Sequence, residues 1–166
     1  MELIDFLRTE VEEGQRMLDI ALNDLNDDVA NYQPGGTANS IGQILAHVVT
    51  GQDRAVNVVM RDMPSVLERN AWQQATGIPA ERGKIWEKGW RLKVDGFLDY
   101  RQAVKASIQD YLGVVDLNDF EREVPWAGRQ VQGWWLARTI FINHILGHAG
   151  EISALKGIQG LKGLPI

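Results

Sequence analysis

Cysteine is absent from this 166-residue chain, so disulfides, thiolate metal ligands and a cysteine nucleophile are all excluded. Histidine is scarce, and His47, His144 and His148 are the only three present. Clusters of Lys and Arg are missing as well. With a net charge of −5 and a pI near 5.2, the chain lacks the basic footprint of a nucleic-acid binder. No stretch of 18 consecutive apolar residues occurs, so no segment reads as membrane-spanning and a membrane partner is not expected. The opening Met1-Glu2-Leu3-Ile4-Asp5-Phe6 has neither a basic leader nor a continuous apolar run, which speaks against a signal peptide and for a cytoplasmic protein. Neither a phosphate-cradling glycine loop after a strand nor a serine-centred nucleophile elbow is found.

What remains is an ordinary globular composition, 45% hydrophobic and 23% charged, long enough for one domain spanning residues 1–166 with a core of its own. Helical periodicity dominates. Ile4, Leu7, Val11, Gly14, Leu18, Ala21 and Leu25 recur in steps of three and four, predicting a first helix over residues 3–25 that Pro34-Gly35-Gly36 cannot continue. A second helix opens at Asn39 or Ser40, either able to cap it, and runs to about Met63. A third covers about 94–112 and a fourth about 131–156, the last with an apolar stripe of Trp134, Ala137, Phe141, His144, His148, Ile152 and Leu155. The connection 64–93 holds a short helix around Ser65–Ala71 and the residues Trp72, Trp86 and Trp90; the connection 113–130 shows no alternating strand pattern. An all-α four-helix bundle follows, and its long connections permit a crossover.

The histidines carry the chemistry. His144 and His148 are one helical turn apart, so their rings point the same way with Cβ atoms about 6 Å apart, close enough to share one ion. Each could instead be an isolated residue with a local hydrogen bond. Two imidazoles on an apolar stripe must both find partners, however, at a cost of about 1–3 kcal/mol each if they fail. His47, from a second helix, would complete a three-nitrogen set that leaves positions open for water or substrate, the outline of a catalytic metal site. Glu151 follows the same face one turn on, as a further ligand, an acceptor for an imidazole N–H, or a general base. Asp53 is six residues from His47, roughly 240° round the helix, and is a poor partner for the same ion. Trp134 and Trp135 read as packing or interface residues, one facing the core and one outward.

Two segments together resemble the DinB-like superfamily. They are Ser40-Ile41-Gly42-Gln43-Ile44-Leu45-Ala46-His47 and, a hundred residues later, His144-Ile145-Leu146-Gly147-His148-Ala149-Gly150-Glu151-Ile152. The run Gly157-Ile158-Gln159-Gly160 after them is similar to the DUF664-type and DinB_2-type branches, with their YfiT-like relatives. The resemblance implies a bundle in up-down-down-up order and a divalent metal held by His47, His144 and His148, and it also implies frequent homodimers. Relatives include thiol-dependent S-transferases and proteins labelled metal-dependent hydrolases.

The expected function is therefore that of a metal-dependent enzyme acting on a small-molecule substrate, as a hydrolase or with a low-molecular-weight thiol cosubstrate. Zn²⁺ or Ni²⁺ suits the ligand set best, and Fe²⁺ or Mn²⁺ could occupy it, because imidazole selects weakly among them. The alternative is a non-catalytic, stress-responsive bundle that binds a metal or ligand without turnover. The wall above the metal separates the two: convergent Arg, Asn or Tyr groups favour chemistry, and a sealed apolar wall favours binding alone.

Overall fold

The computed structural model describes residues 2–69 and 71–164, and among them the chain folds as a helical bundle with one small hairpin. Helix α1 (Leu3–Ala21) is followed by a short α2 (Asp27–Asn31), then by α3 (Ile41–Asp53), which continues as a π-helical segment over Arg54–Met60. The crossover carries α4 (Val66–Arg69), α5 (Trp72–Thr76) and a 3₁₀ turn over Arg82–Trp86. Helix α6 (Val94–Val114) and the short α7 (Leu117–Glu121) lead into strands β1 (Glu123–Trp126) and β2 (Arg129–Gln132). The last long helix is α8 (Gly133–Arg138), a π-helical segment over Thr139–Asn143, and α9 (His144–Ile158), running without a break.

Cross-helix contacts fix the order of the bundle. Arg8 at the start of α1 donates to the carbonyl of Leu112 at the end of α6, while Asp19 near the end of α1 pairs with Arg101 and Lys105, so these two helices run antiparallel. Lys156 near the end of α9 donates to the carbonyls of Ala21, the last residue of α1, and of Asn23 just past it, so α1 and α9 are parallel. Asp53 with Tyr100 and Asn57 with Ser107 place α3 parallel to α6. Arg122, ahead of the last helix, donates to the carbonyl of Met60 at the end of the second, which makes those two antiparallel. Up, down, down, up is the result, as the resemblance implied. Val11, Leu18, Ile44, Val48, Phe97, Val104, Phe141, Ile145 and Ile152 fill the interior. Even Lys156 is buried there, its ammonium closing the C-terminal carbonyls of α1.

Three expectations need correction. The first helix stops at Ala21 rather than at residue 25, because Asp24 turns the chain through a positive φ of 61°. Asn26 then starts α2, its side chain accepting from the backbone N–H groups of Asp28 and Val29. The connection after α6 does contain strands: β1 and β2 pair antiparallel around Ala127 and Gly128, with φ of 50° and 81°. That is the positive-φ pair a tight hairpin demands, reached here without the usual Asn-Gly signal. Trp134, placed on the inner stripe, is instead 51% exposed. The π-helical segment inserts extra backbone before His144, so the inner face upstream is carried by Gly133, Leu136, Ala137, Ile140 and Phe141. Trp135 is the one packed on the core, with the Arg129 guanidinium 4.8 Å over its ring. The short helix expected over Ser65–Ala71 is real over Val66–Arg69; residue 70 lies outside the described residues.

Candidate metal centre

Helix α3 owes its start to Ser40 and Gln43. The Ser40 hydroxyl accepts from the Gln43 backbone N–H, and the Gln43 side-chain oxygen accepts from the Ser40 N–H, satisfying two otherwise orphaned helical donors. Gly42 packs closely in the first turn, where a Cβ would stand 3.0 Å from that of Leu92 and 3.1 Å from the Ala30 carbonyl, so that any side chain would push its neighbours back. Gln43 then does more than cap. Its amide nitrogen donates to the carbonyls of Ile85 and Glu87, tying the 3₁₀ turn of the crossover against α3. One helical turn on from Gln43, His47 meets the Trp86 ring at 4.8 Å between centroids.

The three histidines converge. Nε2 of His47 is 2.9 Å from Nε2 of His144. The ring centroids of His47 and His148 are 5.4 Å apart, and those of His144 and His148 are 4.6 Å apart. One ligand atom from each of the three lies within 4.8 Å of the other two. All three histidines are half-buried. Burial lowers the pKa of His47 to about 4, with the charges of His148 and Arg82 adding to the effect. His144 is lowered to about 4 in the same way, by burial first and then by His148, His47 and Arg82. Both imidazoles are therefore neutral at physiological pH, with lone pairs available for a cation.

The donor set fits a divalent metal. Three imidazoles within reach of one point are a familiar ligand set for Zn²⁺ and its neighbours. Glu151 is not part of that cluster. Its Oε2 sits 2.7 Å from Nδ1 of His148, an arrangement that fixes the ring and leaves Nε2 for a ligand. The Nδ1 of His144 is buried with no hydrogen-bond partner.

Asp53 is turned to other work. It is 1% exposed, and its two oxygens accept from the Asn57 amide, the backbone N–H groups of Val66 and Leu67, and the Tyr100 hydroxyl at 2.7 Å. It thereby caps α4 and joins the crossover to the bundle. Burial of the Tyr100 hydroxyl, and then the charge and hydrogen bond of Asp53, push the Tyr100 pKa well above its ordinary value.

Beside the histidines is a cavity of about 120 Å³ whose lining includes Thr50, Asp53, Arg54, Glu68, Arg82 and Tyr100. None of the three imidazoles lines it directly. Thr50 is one turn beyond His47, and Arg82 begins the 3₁₀ turn that ends in Trp86. Arg82 also reaches across to the hairpin, its guanidinium 5.8 Å from the Trp126 ring centroid. Sequence reasoning brought out the histidines and Glu151 but passed over Gln43, Arg54, Arg82, Trp86 and Tyr100. Of these only Gln43 carried a local signal, three residues after a serine cap.

The sequence profile described as the DinB superfamily matches residues 10–152. No curated protein matches the chain. Among solved structures, a conserved protein from Enterococcus faecalis superposes with a TM-score of 0.79 at 13% identity, covering 96% of this chain and 99% of that one. A DinB-like protein from Bacillus cereus superposes with a TM-score of 0.54 at 18% identity, covering 95% of this chain and 90% of that one. At such identities the likeness is one of fold.

Proposed function

This chain belongs to the DinB superfamily, and we propose that it is an enzyme working through a divalent metal held by His47, His144 and His148. The observation that carries the proposal is the convergence of every histidine in the chain on one point, from two helices and across nearly a hundred residues. Bound there, a divalent ion supplies Lewis-acid chemistry on the side the three imidazoles leave open. Zn²⁺ or Ni²⁺ is the ion proposed, with Fe²⁺ and Mn²⁺ as the other candidates. Glu151 orients His148 through Nδ1 and, being partly open to solvent, can also take up a proton as a general base. Trp86 packs against His47 on one side of the cluster.

The reaction class proposed is transfer or hydrolysis on a small molecule. A chain without cysteine has no thiol nucleophile of its own. A thiol-dependent reaction would need a low-molecular-weight cosubstrate that brings the sulfur with it. The wall next to the histidines favours turnover over passive binding, since Arg54 and Arg82 offer polar groups where a purely structural site needs none. The test is a panel of thiol-transfer and hydrolysis substrates on zinc-loaded and nickel-loaded protein, with His148→Ala alongside. Activity lost together with metal in the variant, at unchanged helical signal, supports the proposal. Equal turnover by both proteins removes the metal from the mechanism, and silence across the panel favours ligand binding without turnover.

We also propose that the protein works as a homodimer. Leu3, Phe6, Leu117 and Trp134 are all more than 40% exposed, and they surround one apolar hollow of about 350 Å³ between α1 and the start of α8. Such a patch is costly to leave in water, and a second copy would cover it.

A further inference from the structure

We infer that Arg54 and Arg82 form an anion-binding subsite beside the three histidines, and that the substrate is a small molecule carrying a carboxylate or phosphate group. The inference rests on the metal-dependent reading above and names the substrate class for that site.

Both guanidinium groups line one cavity, next to the histidine cluster. Arg54 is seven residues after His47, two turns along the same helix, and Arg82 is one 3₁₀ turn before the Trp86 that packs against His47. Neither arginine has an ion pair or a hydrogen bond among the described residues. Arg8, Arg16, Arg61, Arg69, Arg91, Arg101 and Arg122 each find an acceptor, whereas Arg129 and Arg138, like Arg82, lie over tryptophan rings.

Asp53 and Glu68 share the lining, but neither pairs with either arginine. Asp53 spends both oxygens on four donors. Glu68 accepts from the Ser65 hydroxyl at 2.8 Å and from the Ser65 backbone N–H. Glu151 is held by His148. Placing two like charges at one cavity is unfavourable, and each arginine forgoes the pairing its fork of donors suits. Arg82 registers this: desolvation and then the charge of Arg54 lower its pKa. An oxyanion in the cavity would relieve both arginines at once. At about 120 Å³ the cavity admits a carboxylate or phosphate end but not a whole metabolite, so the rest of the substrate must extend outside it.

The experiment follows the arginine Nε–H resonances of ¹⁵N-labelled protein, assigned with Arg54→Gln and Arg82→Gln, during titration with benzoate, phenyl phosphate and neutral benzamide. It is run first on chelator-treated protein and then with zinc added. Saturable shifts of both resonances with benzoate or phenyl phosphate, absent with benzamide and weakened at least about fivefold in either variant, are expected; for an interaction of this kind rising salt should weaken them further. The tighter of the two oxyanions tells a carboxylate substrate from a phosphorylated one. Equal binding of benzamide, or unchanged anion affinity in both variants, overturns the assignment. Zinc uptake is read separately in the same samples. A protein that takes no zinc ends the metal-dependent reading, while the zinc-free titration still decides whether the arginines bind an anion.

Discussion

Replacing Glu151 with glutamine separates orientation of a ligand from ligation itself. The carboxylate sits 2.7 Å from Nδ1 of His148, so it both aims the imidazole and, by its charge, makes the distal nitrogen a better donor. Glutamine keeps a carbonyl oxygen that can accept the N–H but loses the charge. Outer partners of ligating histidines are worth about 10–100-fold in metal affinity. The His148 side chain is 22% exposed and that of Glu151 is 45% exposed, so solvent screens the pair and the effect belongs at the lower end of that range. Glu151→Gln should weaken zinc binding about tenfold, or about 1.4 kcal/mol; Glu151→Ala, which loses orientation as well, should approach the upper end. Competition against a chromophoric chelator reads the constants directly, and unchanged circular dichroism would show that the bundle is intact. Zinc affinity of Glu151→Gln within twofold of the parent protein would refute the reasoning, and so would a loss as complete as that of His148→Ala, which would make Glu151 a ligand.

The remaining predictions concern stability and assembly. Asp53→Asn leaves two of four donors facing an amide N–H₂ and weakens the other two hydrogen bonds, at a cost of about 2–4 kcal/mol in urea unfolding, with Tyr100→Phe costing about 1.5–3 kcal/mol; a loss below about 0.5 kcal/mol in Asp53→Asn would contradict the role of that carboxylate as the anchor of the crossover. In metal-free protein His47 and His144 titrate at about 4, against 6.5 for the unfolded chain. Between those values the unfolded chain binds more protons, so stability should be full above pH 6.5 and fall as the pH drops towards 4. Thermal melts of chelator-treated protein across that range check this, and a flat melting temperature would count against it. Finally, sedimentation at tens of micromolar should show a dimer burying roughly 1,200 Å² or more, converted to monomer by Trp134→Lys; a parent protein that is monomeric there removes the proposal.

The stripe of threes and fours made the long helices legible, because a helix that must bury one face repeats its apolar residues at the helical period whatever else surrounds it. Val11, Gly14, Leu18 and Ala21 are buried as that pattern requires. The same logic failed where backbone departs from the period. A π-helical segment over Thr139–Asn143 changes the phase of the last helix, so extrapolating back from His144 put Trp134 inside when it is outside. No side-chain pattern announces such a segment. The hairpin escaped for a related reason: four-residue strands are too short for alternation to register, and Ala127-Gly128 is a weak turn signal that pairing has to enforce.

The site divides in the same way. His144 and His148 share a helix, so their spacing alone set their rings side by side, and His47 was found because imidazole is so rare in this chain. The residues that surround the cluster come from the crossover, and no local period governs where a crossover packs. Gln43 shows where legibility ends. As the third residue after the Ser40 cap its backbone role was readable, and its side chain closes the capping box. Its amide nitrogen meanwhile reaches residues 85 and 87, forty positions away, and so puts Trp86 on His47 and Arg82 at the cavity. One glutamine thus connects a local rule to a long-range consequence. The histidines could be read from spacing and scarcity, whereas the groups that would choose a substrate depend on a tertiary hydrogen bond that spacing does not encode.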